Sequence, residues 1–480
     1  MRKFSIQTLG CKVNQYESEQ MASLLRSHGW IESEPDAAEL RIVNTCSVTM
    51  EAASKSRQAV RRAVRAGAKQ VVVAGCWATS DKQTASRMTG VDLVVTHYDD
   101  VGDDLRGLLN RLGPSESDPH PRAPADKSAG TLPSPDYKGR GKNVGTRSLP
   151  LLNQRQHQQQ RAFLKIQDGC DAHCTYCIIP KLRPLLWSKP LDELVREARR
   201  LVDAGHVELV LTGIFLGAYG RETALRRRQA SVARRPLADA IDALCLRVPG
   251  LRRLRLSSLE PGDLDDELLA ALRSHWQIVP HFHVPLQSGS DAILRKMNRQ
   301  YRRDNFLQLV DRLYSAFDRP ALTSDVIVGF PGESDAAFQQ TVEVVNRARF
   351  IHVHAFAFSP RPGTAAARWQ SRRAGIRGPI VGQRIDLLRR YAGAFSLDFR
   401  STFINQTVQL LVERERSTPG VWRHGRCQRY FDVHFENDSA ATGAAATGDL
   451  VDVRIDRVTP TRTFGTLVSI AARGPEHSSP

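Results

Sequence analysis

The sequence predicts an α/β protein in three folded parts: an N-terminal parallel-sheet α/β domain, a central partial barrel of six strand-helix units, and a C-terminal small β-barrel. Three observations lead there. Apolar β-rich runs alternate with amphipathic helical stretches over residues 1–112, and a second such series begins near residue 151. A segment rich in Pro, Ser, Gly and charge separates the two series. Short apolar runs divided by turns then close the chain over residues 401–473.

In the first series, "FSIQTLGC", "LRIVNTC", "VVVAGC" and "VDLVVT" read as strands, with "QYESEQMASLLRSHGW" and "EAASKSRQAVRRAVRAG" as helices between them. Residues 113–150 hold too few apolar side chains to offset the entropy of ordering and are expected to be a disordered interdomain linker. Within residues 151–400, "FLKIQDGC", "VELVLTGIFLG", "LRLSSLE", "HFHVPLQSGS", "LTSDVIVGFPGE" and "HVHAFAFSP" are six strand candidates. Between the first two, Leu191, Leu194, Val195, Ala198, Leu201 and Val202 follow the three-four spacing of one buried helix face. After "SPRPGTAAARW" a helical stretch is expected to about residue 404, and residues 361–400 are basic, with nine Arg against two Asp. The tail runs "TVQLLVERE", "RYFDVHFE", "GDLVDVRIDRV" and "FGTLVSIA" suit a small barrel, a shape that often binds nucleic acid.

Lys and Arg number 68 against 51 Asp and Glu, a formal charge of +17 that favours a polyanionic partner. Eight cysteines in 480 residues are too sparse for a disulfide scaffold. The start shows no apolar run of signal-peptide length and no stretch has the length of a membrane span, so a soluble, cytoplasmic protein with no membrane association is expected.

Six cysteines carry the chemistry. Cys170, Cys174 and Cys177 follow the first strand of the second series. Such spacing suits a metal, and two readings stand. Zinc would need a fourth ligand, and no second Cys-x2-Cys or His-x3-His follows; a four-iron cluster on three thiolates keeps one iron open. In the first series Cys11, Cys46 and Cys76 lie 35 and 30 residues apart, about one strand-helix-strand unit, and each follows a strand. Parallel strands would bring them to one edge; the competing reading is three separate buried thiols acting as small hydrophobes. Asn14 and Asn44 are expected to cap helices rather than bond a sulfur. Cys245 reads as core, and Cys427 has no assigned role.

The Cys-x3-Cys-x2-Cys run with Tyr176 before its last cysteine resembles the radical S-adenosylmethionine enzymes. Together with "TLGCKVNQYES", "NTCSVT", "LTGIFLGAYG", "RLSSLEP", "HFHVPLQSGSD", "DVIVGFPGE" and "SPRPGT", nearly the whole chain is similar to the methylthiotransferases of that superfamily, with a TRAM-like tail barrel. "GCKVNQYES" is closest to the branch that modifies N6-threonylcarbamoyladenosine next to the anticodon, at tRNA position 37. The isopentenyladenosine branch usually has Gln-Met-Asn, and the ribosomal-protein branch Pro-Lys-Asn, where this chain has Lys12, Val13 and Asn14.

The resemblance implies two [4Fe–4S] clusters, one on Cys170, Cys174 and Cys177 that binds S-adenosylmethionine and generates a radical, the other on Cys11, Cys46 and Cys76 that handles sulfur. It implies tRNA and a reduced flavodoxin- or ferredoxin-type electron donor as partners. Breaking the C–H bond at C2 of adenine is radical chemistry supplied by the cofactor, so no side chain is assigned a catalytic role. Implied cofactor contacts are Tyr176, then Thr212 and Gly213, then Ser257, Ser258 and Glu260, and on later strand ends Gln287, Ser288, Gly329 and Glu333. Gly329 and Gly332 equally fit turn geometry and Glu333 a helix cap. The Arg-rich stretch 361–400 is the expected basic surface, with Trp422, Arg423, Arg426, Arg429 and Tyr430 as candidate RNA contacts and Phe431 and Phe435 as core. The sequence departs from the family where Pro184 and Lys189 replace Gly and Arg, Ala357 and Phe358 replace Pro and Tyr, and Thr96 and His97 replace Gly and Asn. The alternatives are the same chemistry on isopentenyladenosine tRNA or a ribosomal-protein aspartate, and a non-catalytic zinc-containing RNA-binding protein.

Overall fold

A computed structural model describes residues 1–113, 148–153, 160–225, 235–370, 378–414, 422–437 and 444–472. The expected linker therefore lies almost wholly outside the described residues, as do 371–377 of the Arg-rich stretch. The chain forms two compact units, Met1–Leu152 and Asn153–Pro480.

The first unit is a parallel sheet with helices on both faces. Strands β1 (Lys3–Thr8), β2 (Ile31–Glu32), β3 (Leu40–Thr45), β4 (Gln70–Ala74) and β5 (Leu93–Val94) lie in the order β2-β1-β3-β4-β5. Burial on both faces explains the unbroken apolar runs. Ile42 and Val72 face a core with Met21, Leu25 and Leu105, whereas Val43, Val71 and Val73 face one with Ala59, Val60 and Trp77. The short β2 was not expected, because two residues carry no periodicity. Residues 148–152 fold back onto this unit. Leu149 enters its core, Ser148 accepts from the Gly102 N–H (3.0 Å), and Gln20 reaches the Pro150 carbonyl (2.9 Å).

The second unit begins with β6 (Ala162–Asp168), β7 (Trp187–Ser188), β8 (Glu208–Gly213), β9 (Arg253–Leu256), β10 (His281–His283), β11 (Ala321–Val328) and β12 (His352–Ala357). The strands β6, β8 and β9 run parallel, as do β10, β11 and β12, and a parallel bridge from Leu254 to Ile278 joins the two sets. The six expected strands thus form one curved series, with helices such as Leu191–Asp203 on the outside. That helix buries Leu194, Val195, Ala198 and Leu201. Phe282 turns outward against Phe317 (4.8 Å between rings), which leaves His281 and His283 on the inner face.

The tail is a closed barrel of β13 (Thr407–Val412), β14 (Trp422–Cys427), β15 (Asp432–Glu436), β16 (Leu450–Val458) and β17 (Thr463–Ala472), in the order β13-β14-β15-β17-β16. Phe431, Phe435 and Cys427 fill it, in agreement with the core reading of the two phenylalanines. Among the described residues no helix is long and apolar enough to cross a membrane.

The inner face of the partial barrel carries its own ion network, which ties the tail barrel on. Glu208 accepts from Arg255 (2.7 Å) and Arg253 (3.3 Å), each with about 1% of its side chain exposed. Arg253 also donates to the Gln409 carbonyl (2.6 Å) and Arg255 to that of Gln428 (3.1 Å). Two candidate RNA contacts prove to belong to this joint. Tyr430, held at a positive φ of 71° in the turn after β14, stacks on His281 (4.6 Å) and lies under Arg255 (4.8 Å). Arg429 donates to the Arg319 carbonyl (2.9 Å). Likewise Arg361, Arg384 and Arg400 of the basic stretch are buried, Arg384 against Glu333 and Asp335, whereas Arg368, Arg389 and Arg390 are exposed.

Candidate active site

The three N-terminal cysteines follow adjacent parallel strands. Register pairs Thr8 with Asn44 and Asn44 with Ala74, and a bridge joins Thr45 to Gly75, so Cys46 and Cys76 occupy equivalent places and Cys11 lies one residue further on. Two glycines permit the close approach. A Cβ on Gly10 (φ 100°) would fall 2.8 Å from that of Cys46, and one on Gly75 (φ 91°) 2.5 Å from the Thr45 carbonyl oxygen. Cys11 is exposed; Cys46 and Cys76 are buried. His97 brings Nε2 to 3.6 Å from Cys76 Sγ.

Neither asparagine caps a helix. The helix Lys12–Ser27 starts from Cys11, and Met50–Arg65 is capped by Thr49, whose hydroxyl accepts from the Ala52 N–H. Asn14 and Asn44 are fully buried, and their amides join strand ends: Asn14 Nδ2 donates to the Leu9 and Thr45 carbonyls (2.9 Å each), Asn44 Nδ2 to the Asn14 carbonyl (2.9 Å). Burial makes those carbonyls the available partners.

In the second unit the loop bearing Cys170, Cys174 and Cys177 leaves β6 through Gly169 (φ 78°), where a Cβ would strike the Leu185 carbonyl at 1.9 Å. Segment 296–299 grips it. The Thr175 hydroxyl donates to the Lys296 carbonyl (2.8 Å), its N–H to that of Met297 (3.1 Å), and Asn298 Nδ2 to that of His173 (3.1 Å). Arg299 donates to Cys174 Sγ and to the Tyr176 hydroxyl (3.3 Å each) and forms an ion pair with Glu260. Burial pushes the Cys177 thiol up to about 12 and Cys170 higher still.

The loop after the motif accounts for both departures. Arg183 donates to both oxygens of Asp168 (2.9 Å each), which Lys165 also engages (2.6 Å). Lys189 is ion-paired with Glu197 in full burial, and burial lowers its pKa. Pro184 stands just before the turn that pairs β7 antiparallel with β6. Arg183 and Lys189 both meet protein carboxylates.

The remaining expected contacts divide. Tyr176 packs edge-on against Phe330 (6.4 Å), and Glu260 joins it through Arg299. Thr212 is buried at the end of β8, and Gly213 lies so close to Gln167 that a Cβ would meet its Cβ at 3.0 Å. Ser257 is buried after β9, while Ser258 is exposed. Gln287 is nine-tenths buried at a positive φ of 57°, and its Oε1 has no hydrogen-bond partner among the described residues. Ser288 is turned into its own loop, accepting from the Ser290 N–H (3.2 Å). Glu333 accepts from the Gly329 N–H (2.8 Å) and Arg384 (2.7 Å), and burial raises its pKa; the cap of the following helix is Ser334, not Glu333.

Comparison with known proteins places these features. Residues 164–345 match the Radical SAM superfamily, and residues 3–96 match Uncharacterized protein family UPF0004. A threonylcarbamoyladenosine tRNA methylthiotransferase, MtaB of Bacillus subtilis, is 33% identical over 415 residues, covering 86% of this chain and 85% of that protein. A tRNA-2-methylthio-N(6)-dimethylallyladenosine synthase 1 of Mycobacterium marinum is 34% identical over 476 residues, covering 96% and 84%. The chain belongs to the radical S-adenosylmethionine methylthiotransferase family. The radical S-adenosylmethionine methyltransferase TsrM of Kitasatospora setae, at 14% identity and a TM-score of 0.51 over 76% of this chain and 77% of that one, shares the fold.

Membership implies a [4Fe–4S] cluster and S-adenosylmethionine, and the residues of this methylthiotransferase fit both. An all-sulfur donor set at Cys170, Cys174 and Cys177 suits iron-sulfur ligation. Gln287 Oε1, buried and unsatisfied, suits a polar ligand. Sequence reasoning missed Arg299 and His97 because their roles depend on partners 125 and 21 residues away.

Proposed function

We propose that this methylthiotransferase adds a methylthio group to C2 of N6-threonylcarbamoyladenosine at tRNA position 37. The reading is supported by the placing of two sets of three thiols, one per folded unit, the first just after adjacent parallel strands and the second in the loop that leaves β6, both at the ligand-binding edge of a parallel sheet. Cys170, Cys174 and Cys177 would hold the cluster that binds S-adenosylmethionine, and Cys11, Cys46 and Cys76 a second [4Fe–4S] cluster that serves sulfur transfer. When bound, the two clusters and S-adenosylmethionine supply the radical and sulfur chemistry that an unactivated C–H bond requires.

The chain's own residues position and shield that chemistry. Arg299 fixes Cys174 and Tyr176 relative to one another, and Glu260 fixes Arg299. Ile327, Phe330, Phe358 and Trp369 cluster with Tyr176 and exclude water beside the loop. Gln287 offers its buried oxygen to the methionine moiety or ribose of the cofactor. On the tail barrel, exposed Trp422 lies 5.8 Å from Phe464, over which Arg457 sits at 4.5 Å, a stacking and charge surface suited to RNA. A reduced flavodoxin- or ferredoxin-type protein would supply electrons.

Relatives of both kinds have similar identity, which does not separate the two bases; the run Lys12-Val13-Asn14 after Cys11 is what supports threonylcarbamoyladenosine over isopentenyladenosine. Mass spectrometry of tRNA nucleosides from a strain lacking the gene tests it. The expected result is loss of 2-methylthio-N6-threonylcarbamoyladenosine, restored by complementation. Loss of the isopentenyl counterpart instead, with the threonylcarbamoyl product intact, overturns the choice of base.

A further inference from the structure

The inner wall of the partial barrel carries a polar cluster that the cofactor chemistry leaves unused. His283 of β10, Asp325 of β11 and His354 of β12 bring one imidazole nitrogen, one carboxylate oxygen and a second imidazole nitrogen within 4.8 Å of one another. Register places Asp325 directly beside His354, with Thr323 pairing both His283 and His352. His283 is held from both ring nitrogens, Nδ1 against the Thr323 hydroxyl (3.0 Å) and Nε2 against Asp325 (3.1 Å). His354 Nδ1 meets His352 Nε2 at 3.2 Å. On the opposite face of β12, Val353 and Ala355 are buried against the helical layer, so the exposed His354 turns to the open interior.

Its position matters. Asp325 lies one rung of β11 below Ile327, roughly 7 Å along the strand, and Ile327 belongs to the same apolar cluster as Tyr176 of the cysteine loop. The N6 substituent of a modified adenosine springs from the six-membered ring that carries C2. A substrate with C2 at the radical site must therefore lodge that substituent on a wall close by.

We propose that His283, Asp325 and His354 form the subsite that receives the N6 substituent, and that they select a substituent bearing a carboxylate and a hydroxyl. The inference rests on the assignment of the protein as a tRNA methylthiotransferase. His354 donates to the carboxylate, His283 holds Asp325 in place through Nε2, and Asp325 accepts from the hydroxyl. An isopentenyl group has no polar atom to offer. It would cover these groups without replacing the water they lose, and sites built to hydrogen-bond a ligand reject analogues lacking that group most strongly. Two imidazoles and a carboxylate could also hold a divalent metal. Against that, the Nε2 that would face the ion is the one His283 already directs at Asp325.

The test uses the full chain with its clusters loaded and two anticodon stem-loop RNAs identical except at N6, one threonylcarbamoyl and one isopentenyl. Dissociation constants come from fluorescence anisotropy and kcat/KM from mass spectrometry of the product. The wild type is expected to favour the threonylcarbamoyl RNA. His354→Ala should weaken its binding about 10- to 100-fold, the loss expected of a hydrogen bond to a charged group, and bind the isopentenyl RNA no more weakly than the wild type does. His354→Asn, which keeps a donor, should recover part of the loss, and Asp325→Asn should lower discrimination without changing the iron content. His354 is exposed, so its truncation opens no cavity. A wild type that prefers the isopentenyl RNA defeats the choice of base and the subsite together. A wild type that prefers the threonylcarbamoyl RNA, with His354→Ala and Asp325→Asn unaltered in affinity and preference, defeats the subsite alone. One zinc per chain, bound by the wild type and lost in His354→Ala, also overturns it.

Discussion

Replacing Arg299 by methionine keeps the unbranched apolar stem and deletes the guanidinium, which removes the donor to Cys174 Sγ and leaves Glu260 facing an apolar group. Arg299 is 6% exposed and Glu260 16%, so this is a largely buried ion pair. Removing one partner of such a pair costs about 3–5 kcal/mol of folding stability. Arg299→Met/Glu260→Met, which deletes both charges, should recover most of that loss. The hydrogen bond to sulfur has a second effect, because it favours the more negative, reduced form of a cluster. A charge-assisted bond of roughly 1.5–3 kcal/mol, at about 59 mV per 1.4 kcal/mol for a one-electron couple, caps the downward shift of the midpoint at about 60–130 mV. The assay is a redox titration followed by electron paramagnetic resonance, with Cys11, Cys46 and Cys76 replaced by Ala so that one cluster is observed. A midpoint unchanged in Arg299→Met, in protein with a full complement of iron, refutes the reasoning.

Three further predictions follow from the site and the joint. Burial alone would raise Glu208, but Arg255, Arg253 and Arg161 outweigh it and pull the carboxyl from 4.5 to about 2. A depressed carboxyl stabilises the fold above its unfolded value, so stability on the order of 3 kcal/mol should drain away as pH falls from 4.5 toward 2. Urea unfolding against pH should show that slope in the wild type and lose it in Glu208→Gln, and an unchanged slope contradicts the network. Cys46→Ala should leave reductive cleavage of S-adenosylmethionine largely intact while abolishing methylthio transfer, and any retained transfer rejects the division of labour between the two thiol sites. His97→Phe, in protein lacking Cys170, Cys174 and Cys177, should lower the midpoint of the N-terminal cluster without loss of iron. An unaltered spectrum and midpoint would mean that the 3.6 Å approach to Cys76 has no electronic consequence.

Fold class was legible because burial on both faces of a parallel sheet writes long apolar runs, as in "VVVAGC" for β4 and "LTSDVIVG" for β11. The strand β14 was not, since "WRHGRC" buries only Gly425 and Cys427 and owes its place to main-chain pairing with β13 and β15. Site chemistry followed the same division. Cysteine positions at strand ends are written in one dimension, but the roles of Arg299, Asp325 and His354 arise from side chains that meet only after the barrel curves. Tyr430 shows the limit from the other side. Composition makes an exposed-looking tyrosine among arginines an RNA contact, whereas its positive φ turns it onto His281 and Arg255. Asn14 and Asn44 are a milder case, being residue types that suit caps but whose amides are spent here on buried carbonyls, while Asn14 Oδ1 accepts from Cys11 Sγ (4.0 Å), the sulfur contact set aside in favour of capping.

Two separate three-thiol sites are the centre of the account, and the iron and acid-labile sulfide content of anaerobically prepared protein tests them most directly. About eight irons per chain are expected, falling to about four when Cys11, Cys46 and Cys76 are replaced by Ala and equally to about four when Cys170, Cys174 and Cys177 are replaced. Colourless protein that carries zinc, or four irons unaffected by loss of the N-terminal cysteines, would contradict it.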